Sequence, residues 1–308
     1  MNGKLAKVRK ISVIIPAYNE EDNIPILMEE LQDIISKTNL DCEVVLVDDG
    51  SDDRTYTVAK ECEKDYTFMK VVQHRHNFGK TEAILSGLKE ASGELLVLMD
   101  ADLQYSPSCI PGLIQKLHEG YDVVTGWKKG KYNKQGVSRV YNGLSRWLFR
   151  IPIHDQNAIK LLKRVVLEDM QLRKDWHRYI VALACNKRYK VGEIEVELRP
   201  RRYGKSKYSG FGRVVIGILD LIAVKFQVSF MRKPLLLFGT AGGIFLVAGF
   251  IIGVIALYQR FVLNHGFRPL LYLIILLVIV GVLFFILGFL AESIAGIHDE
   301  LKELRKRL

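Results

Sequence analysis

Leu95-Leu96-Val97-Leu98-Met99-Asp100-Ala101-Asp102-Leu103-Gln104 is the stretch whose reading decides the fold. Its five leading apolar residues, Leu95 to Met99, have the length of a strand buried on both faces, as in a parallel sheet. The run stops on Asp100 and Asp102, with only the small Ala101 between them. Carboxylates at a strand's C-terminal end lie where open α/β sheets bind ligands. Side chains two apart on an extended chain share a face, and two carboxylates so placed repel unless a cation accompanies them. Mg²⁺ or Mn²⁺, hard ions that keep phosphate oxygens among their ligands, meet that need. A solvated acidic turn is the alternative these residues alone leave open.

Outward from this strand, strand and helix alternate four times. Strands are predicted over Ile11–Pro16, Val44–Val47, Met69–Gln73 and Asp122–Thr125, and helices over residues 24–35, 53–65, 80–91 and 110–117. Such alternation at short spacing argues for a mostly parallel sheet with helices on both faces. The strand ends carry polar turns: Pro16-Ala17-Tyr18-Asn19-Glu20 after the first and Asp48-Asp49-Gly50-Ser51 after the second. His76-Asn77-Phe78-Gly79-Lys80 opens a helix.

Beyond Gly126 the pattern changes. Residues 136–151 read as a helix with Trp147 and Leu148 beside Arg139, Arg146 and Arg150, a composition suited to a membrane interface. Residues 178–186 read as helical and 189–197 as extended. Arg199-Pro200-Arg201-Arg202-Tyr203-Gly204-Lys205-Ser206-Lys207-Tyr208 mixes cations with Gly and Ser, as a phosphate-gripping loop would; a solvated basic face has the same composition. Residues 211–230 read as an apolar helix lying along a membrane.

Leu235–Leu257 and Leu270–Leu290 are uncharged throughout, and spanning a bilayer takes about 20 helical residues. The chain of 308 residues is 49% hydrophobic, and the excess sits in these two runs. The net charge of +10 would suit nucleic acid or an anionic leaflet. The leaflet is favoured over nucleic acid because Lys225, Arg232 and Lys233 precede the spans and Lys302, Arg305, Lys306 and Arg307 follow them. Both termini are therefore expected in the cytoplasm. The four cysteines have no metal-ligand spacing and read as reduced thiols. Pro16 ends the first apolar run too early for a secretory signal. Four segments are expected: a cytosolic α/β domain over 1–208, an interfacial amphipathic helix over 209–233, a two-helix transmembrane domain over 234–291, and a basic cytoplasmic tail helix over 292–308.

Taken together, Ile14-Ile15-Pro16-Ala17-Tyr18-Asn19-Glu20, Val47-Asp48-Asp49-Gly50-Ser51, Asn77-Phe78-Gly79-Lys80 and Asp100-Ala101-Asp102-Leu103-Gln104 resemble family 2 glycosyltransferases of the GT-A fold. The motif Arg201-x-x-Gly204-x-Ser206-Lys207-Tyr208 and the two apolar runs narrow the resemblance to polyprenyl-phosphate glycosyltransferases, the group of dolichyl-phosphate mannose synthases and bactoprenol glucosyltransferases. The resemblance implies an inverting, metal-dependent transfer of a hexose from a nucleotide sugar to polyprenyl or dolichyl phosphate. UDP-glucose or another UDP-hexose is favoured as donor, with GDP-mannose second. Pro16, Tyr18, Glu20 and Asp49 would line the nucleotide pocket, Lys80 would meet the base or diphosphate, and Arg201 and Lys207 would clamp phosphate. Asp100 and Asp102, with Gln104, would hold Mg²⁺ or Mn²⁺ at the diphosphate, and Ala101 between them belongs to the implied cofactor-binding set. Lys128, Arg139 and Arg178 are the implied contacts to the acceptor phosphate, and Asp155 in His154-Asp155-Gln156-Asn157 the group beside the anomeric carbon. A second copy of the chain is a candidate partner.

Two departures stand out. The usual Gly-x-Arg after the fifth strand is Gly126-Trp127-Lys128, which keeps the charge but loses the bidentate fork. The usual Pro-Pro-Glu after the acidic motif is replaced within Tyr105-Ser106-Pro107-Ser108. Competing readings are a different lipid acceptor on the same fold and a non-catalytic membrane scaffold or flippase partner. A P-loop nucleotidase is excluded, since the chain has no G-x-x-x-x-G-K-[ST].

Overall fold

The computed structural model describes residues 10–129, 143, 145–146, 148–149, 151–156, 158–170, 172–200, 221–226, 233–264, 266 and 268–307. The chain divides into two compact units, Met1–Ile218 and Leu219–Leu308.

The first unit is built on seven strands: β1 (Ile11–Ala17), β2 (Cys42–Asp48), β3 (Met69–Gln73), β4 (Leu95–Leu98), β5 (Val123–Lys129), β6 (Lys160–Lys163) and β7 (Val191–Glu197). Their spatial order is β3-β2-β1-β4-β6-β5-β7. The first four pair in parallel, β6 runs antiparallel to both β4 and β5, and β5 pairs in parallel with β7. β4 is an unbroken apolar run and β1 is apolar but for the buried Ser12, because both faces are covered: Ile11, Val13, Ile14, Ile15 and Leu95 through Leu98 are all buried.

Helices α1 (Ile24–Thr38), α2 (Thr55–Asp65), α3 (Lys80–Glu90) and α4 (Ile110–His118) fall where the periodicity predicts them. α1 shows why: Ile24, Leu27, Met28 and Leu31 form one buried stripe at helical spacing. The chain moves outward from β1 to β2 and β3, then returns to place β4 on the other side of β1. That reversal opens a crevice at the C-terminal ends of β1 and β4, the position where such sheets take ligands.

Two short elements escape the sequence reading. β6 has four residues, Lys-Leu-Leu-Lys, too few to show a period of two, and α5 (Arg164–Glu168) follows it directly. The region read as helical from 178 begins as a 3₁₀ turn over Trp176–Tyr179 and becomes α6 (Ile180–Asn186). Residues 143, 145, 146, 148 and 149 are helical, as expected within 136–151. The basic stretch 201–208 lies outside the described residues.

The second unit holds α7 (Pro234–Phe261) and α8 (Arg268–Arg307). Both contain windows long and apolar enough to cross a membrane, with mean hydropathy 2.4 and 3.4. Their large side chains face outward, Phe250 and Tyr272 each being 73% exposed, unlike the core helices of a water-soluble domain. The two helices touch where side chains are smallest: a Cβ on Gly242 would lie 2.7 Å from the Gly281 carbonyl. The Leu235 amide at the start of α7 donates to Glu292 Oε2 at 3.2 Å. α8 continues without a break past residue 291, so the expected tail helix is the extension of the second apolar helix.

Candidate active site

The ends of three parallel strands and the start of α3 build the site. After β1 the backbone turns through Asn19 at φ +56°, and the turn is tied to the one after β2. The Asn19 amide donates to Ser51 Oγ at 2.9 Å, and its side-chain oxygen accepts from the Asp52 amide at 2.9 Å. Tyr18 donates its hydroxyl to Asp52 Oδ2 at 2.9 Å, and that carboxylate raises the phenol above its ordinary range. Glu20 is fixed through its own amide, which donates to Thr55 Oγ1 at 2.8 Å.

Asp49 is 3% exposed and organises the segment leading into α3. Its Oδ1 accepts from the Phe78 amide at 2.9 Å and lies 2.8 Å from His74 Nδ1; its Oδ2 accepts from the Gly79 amide at 2.8 Å. A carboxylate has about four acceptor sites, so one remains for a ligand donor. Gly50 is obligatory beside it: φ is +67°, and a Cβ there would lie 2.4 Å from the His76 carbonyl carbon.

Lys80, the first residue of α3, pairs through Nζ with Asp100 Oδ1. Burial pushes the Asp100 carboxyl upward, but the Lys80 ammonium, aided by Lys160, outweighs it and holds the carboxyl below its ordinary range. Asp102 is 6% exposed, and its Oδ1 accepts from the Gln104 amide at 3.2 Å. The turn between them passes through Leu103 at φ +58°, a conformation uncommon for a leucine and sustained here by burial of its side chain in the core.

These groups line one cavity of about 780 Å³, ample for a nucleotide sugar. Of the residues singled out by sequence, Pro16, Tyr18, Glu20, Asp49, Lys80, Asp100, Ala101, Asp102 and Arg178 line it. Gln104 does not, since Leu103 turns the chain away before it. Lys128 and Asp155 do not line it either; they pair with each other at 3.3 Å, beside Lys160, which does. Arg139, Arg201 and Lys207 lie outside the described residues.

Lys160 and Lys174 are cavity residues the sequence reading missed. Lys160 opens the unrecognised β6, and no motif marks it. Its ammonium donates to the Ala158 carbonyl at 2.8 Å. Burial, reinforced by Lys80, brings its pKa down to about 8 against the opposing pull of Asp100 and Asp155. His177 also lines the cavity, with Nδ1 2.9 Å from Thr81 Oγ1. Burial and then the charges of Lys80 and Arg178 lower it to about 3, so it is neutral at physiological pH.

The donor set of Asp100 and Asp102 fits a hard divalent cation: two carboxylates at one strand end, both facing the cavity. Among the described residues no group of three or more His, Cys, Asp or Glu forms a complete ligand cluster. A cation here would therefore complete its shell with water or substrate phosphate oxygens, and would compete with Lys80 for Asp100.

A mostly parallel sheet with its crevice at the switch point, a paired-carboxylate turn and a cation-lined cavity suit an enzyme that handles a phosphorylated ligand. Residues 12–177, more than half the chain, match the model for Glycosyl transferase family 2, and the chain belongs to that family. It is a glycosyltransferase with the GT-A fold.

The chain is 29% identical over 300 residues to dodecaprenyl-phosphate galacturonate synthase of Rhizobium johnstonii, covering 93% of this chain and 88% of the relative. It is also 29% identical over 307 residues to undecaprenyl-phosphate 4-deoxy-4-formamido-L-arabinose transferase of Proteus mirabilis, with 96% and 91% covered. In fold it is similar to glucosyl-3-phosphoglycerate synthase of Mycobacterium tuberculosis in complex with Mn²⁺ and UDP: TM-score 0.57, 20% identity, covering 71% of this chain and 80% of that one.

Proposed function

We propose that this protein transfers a sugar from a nucleotide sugar to a polyprenyl phosphate, with inversion at the anomeric carbon. The observation that carries this reading is the juxtaposition of Asp100, Asp102 and Lys80 in one cavity at the sheet's switch point, on a chain that also has two membrane-length apolar helices. The relatives named above support a polyprenyl-phosphate acceptor. They also widen the candidate sugars, since one is named for a uronic acid and the other for a substituted pentose. UDP-hexoses, uronates included, remain the favoured donors, with GDP-mannose second.

In the proposed reaction an acceptor phosphate oxygen forms a bond to the anomeric carbon as the bond from that carbon to the nucleoside diphosphate oxygen breaks on the opposite face. An α-linked donor then gives a β-linked lipid phosphate sugar. Asp49 and Tyr18 orient the nucleoside through hydrogen bonds, and Lys80 counters diphosphate charge. Asp100 and Asp102 would hold Mg²⁺ or Mn²⁺, which supplies Lewis-acid stabilisation of the leaving diphosphate. The acceptor phosphate is already nucleophilic, so Asp155, held by Lys128, orients the acceptor more than it removes a proton. Arg178 and Lys128, with Arg139, Arg201 and Lys207, are the proposed phosphate-binding cations.

The proposed topology places the catalytic unit and both termini in the cytoplasm, with α7 and α8 spanning the membrane. Purified protein incubated with UDP- and GDP-sugars and a polyprenyl phosphate should yield a lipid-linked sugar by mass spectrometry. No product from the whole panel would reject the reading. A cysteine placed at 258–264 should react with an impermeant maleimide on intact cells, and labelling only after permeabilisation would invert the topology.

A further inference from the structure

Lys160 is 6% exposed, lines the cavity, and has no ion-pair partner among the described residues. Its strand is wedged between β4, which delivers Asp100, and β5, which carries Lys128. Both neighbouring lysines have a carboxylate partner: Lys80 has Asp100 and Lys128 has Asp155. Among the described residues Lys160 has no ion pair, and its sole acceptor is the Ala158 carbonyl at 2.8 Å. An ammonium has three donors, so two are unmatched. A buried cation in that state is costly unless an anion completes it. The open side of the group is the cavity itself.

We propose that Lys160 binds a substrate oxyanion at the reacting end of the cavity, between the Lys80–Asp100 and Lys128–Asp155 pairs. The inference rests on the transferase reading above. The oxyanion is either the phosphate of the lipid acceptor or a carboxylate on the transferred sugar. The nucleoside diphosphate is not the partner, because Lys80 and the Asp100–Asp102 turn already serve that end. Beyond the Ala158 carbonyl and the more distant charges of Asp100 and Asp155, the described residues give the ammonium no partner, so its proposed role is toward substrate.

The test uses the full-length protein in detergent, comparing wild type with Lys160→Met, Lys160→Gln and Lys160→Arg. Calorimetry measures binding of UDP, UDP-glucose, UDP-glucuronate and a short-chain polyprenyl phosphate, all with Mg²⁺; thermal midpoints are recorded alongside. Met and Gln should leave UDP and UDP-glucose binding unchanged and the thermal midpoint equal or higher, because a buried charge has been removed. They should weaken one oxyanion ligand by about 10- to 100-fold, the range of a charge-assisted hydrogen bond, and Arg should restore most of it. Loss confined to polyprenyl phosphate identifies the acceptor phosphate as the partner, and loss confined to UDP-glucuronate identifies a sugar carboxylate. Unchanged binding of both, equal weakening of UDP, or a lowered midpoint in both Met and Gln variants overturns the proposal. Because the readout is binding, it stands apart from product formation by wild type, which tests the transferase reading itself.

Discussion

Lys128 Nζ lies 3.3 Å from Asp155 Oδ2, joining a residue near the end of β5 to the segment before β6, and the Asp155 side chain is only 5% exposed. The pair unites two positions that the sequence presents as separate motifs 27 residues apart. A buried carboxylate deprived of a cationic partner is destabilising, whereas loss of both partners together is less so.

Lys128→Met and Asp155→Asn should each reduce transfer by about 100-fold, within the range for removing a positioned acid–base or orienting group. The double variant should fall well short of the summed losses, with a coupling of about 1–3 kcal/mol in a double-mutant cycle. Initial rates and urea denaturation of the four proteins would check this. Strict additivity in both would mean that the two residues act independently.

The ammonium of Lys80 pairs with Asp100 Oδ1, so a divalent cation held by Asp100 would compete with it. Lys80→Met should therefore tighten Mn²⁺ binding while lowering transfer by about 10-fold or more, the scale of one charge-assisted contact. Asp100→Asn and Asp102→Asn should weaken Mn²⁺ and nearly abolish transfer, and EDTA should do the same to wild type. Mn²⁺ titration followed by electron paramagnetic resonance separates metal binding from turnover. Unchanged Mn²⁺ affinity in Asp102→Asn would remove that residue from the metal site.

Asp49 accepts from two backbone amides and faces His74, so its effect on nucleotide binding runs through loop structure as well as through the direct hydrogen bond proposed above. Asp49→Ala should cost about 2–4 kcal/mol of stability by orphaning those donors, and should abolish UDP binding. Gly50→Ala should also be destabilising, by about 1–3 kcal/mol, since it combines a strained φ with a clash against His76. Chemical denaturation with and without UDP reads both effects.

His177, with its folded pKa lowered to about 3, remains neutral in the native state while the unfolded chain titrates near its ordinary value of 6.5. Its stabilising contribution is fully present above pH 6.5 and is lost as the pH falls from there toward 3, because only the unfolded state takes up the proton. The slope has a ceiling of roughly 1.4 kcal/mol per pH unit. His177→Gln should flatten the stability profile between pH 6.5 and 4, as measured by thermal melts in matched buffers. An unchanged slope would mean that His177 does not carry this linkage.

Gly242 and Gly281 permit backbone approach between α7 and α8. Gly281→Leu should lower the detergent-solubilised thermal midpoint, whereas Gly253→Leu, with open space at its Cβ, should not. Equal behaviour of the two would separate the helix contact from stability.

Much of this protein is determined by local sequence. The buried runs Ile11–Ile15 and Leu95–Met99, the stripe of α1 and the two long apolar helices declare themselves, because full burial and helical period leave strong patterns within one element. The polar turns at the strand ends carried enough identity to point to the family, and Tyr18, Glu20, Asp49, Lys80, Asp100 and Asp102 share one cavity as those motifs implied. Other features depend on groups distant in the chain. β6 is a strand only because β4 and β5 pair with both its edges, and Lys160 enters the cavity only because that strand is wedged between them. Gln104, adjacent in sequence to the acidic motif, is kept from the cavity by the backbone turn at Leu103. The Lys80–Asp100 and Lys128–Asp155 pairs likewise form across separate elements. Burial and charge pairing depend on which strands become neighbours, and long-range packing settles that where local periodicity cannot.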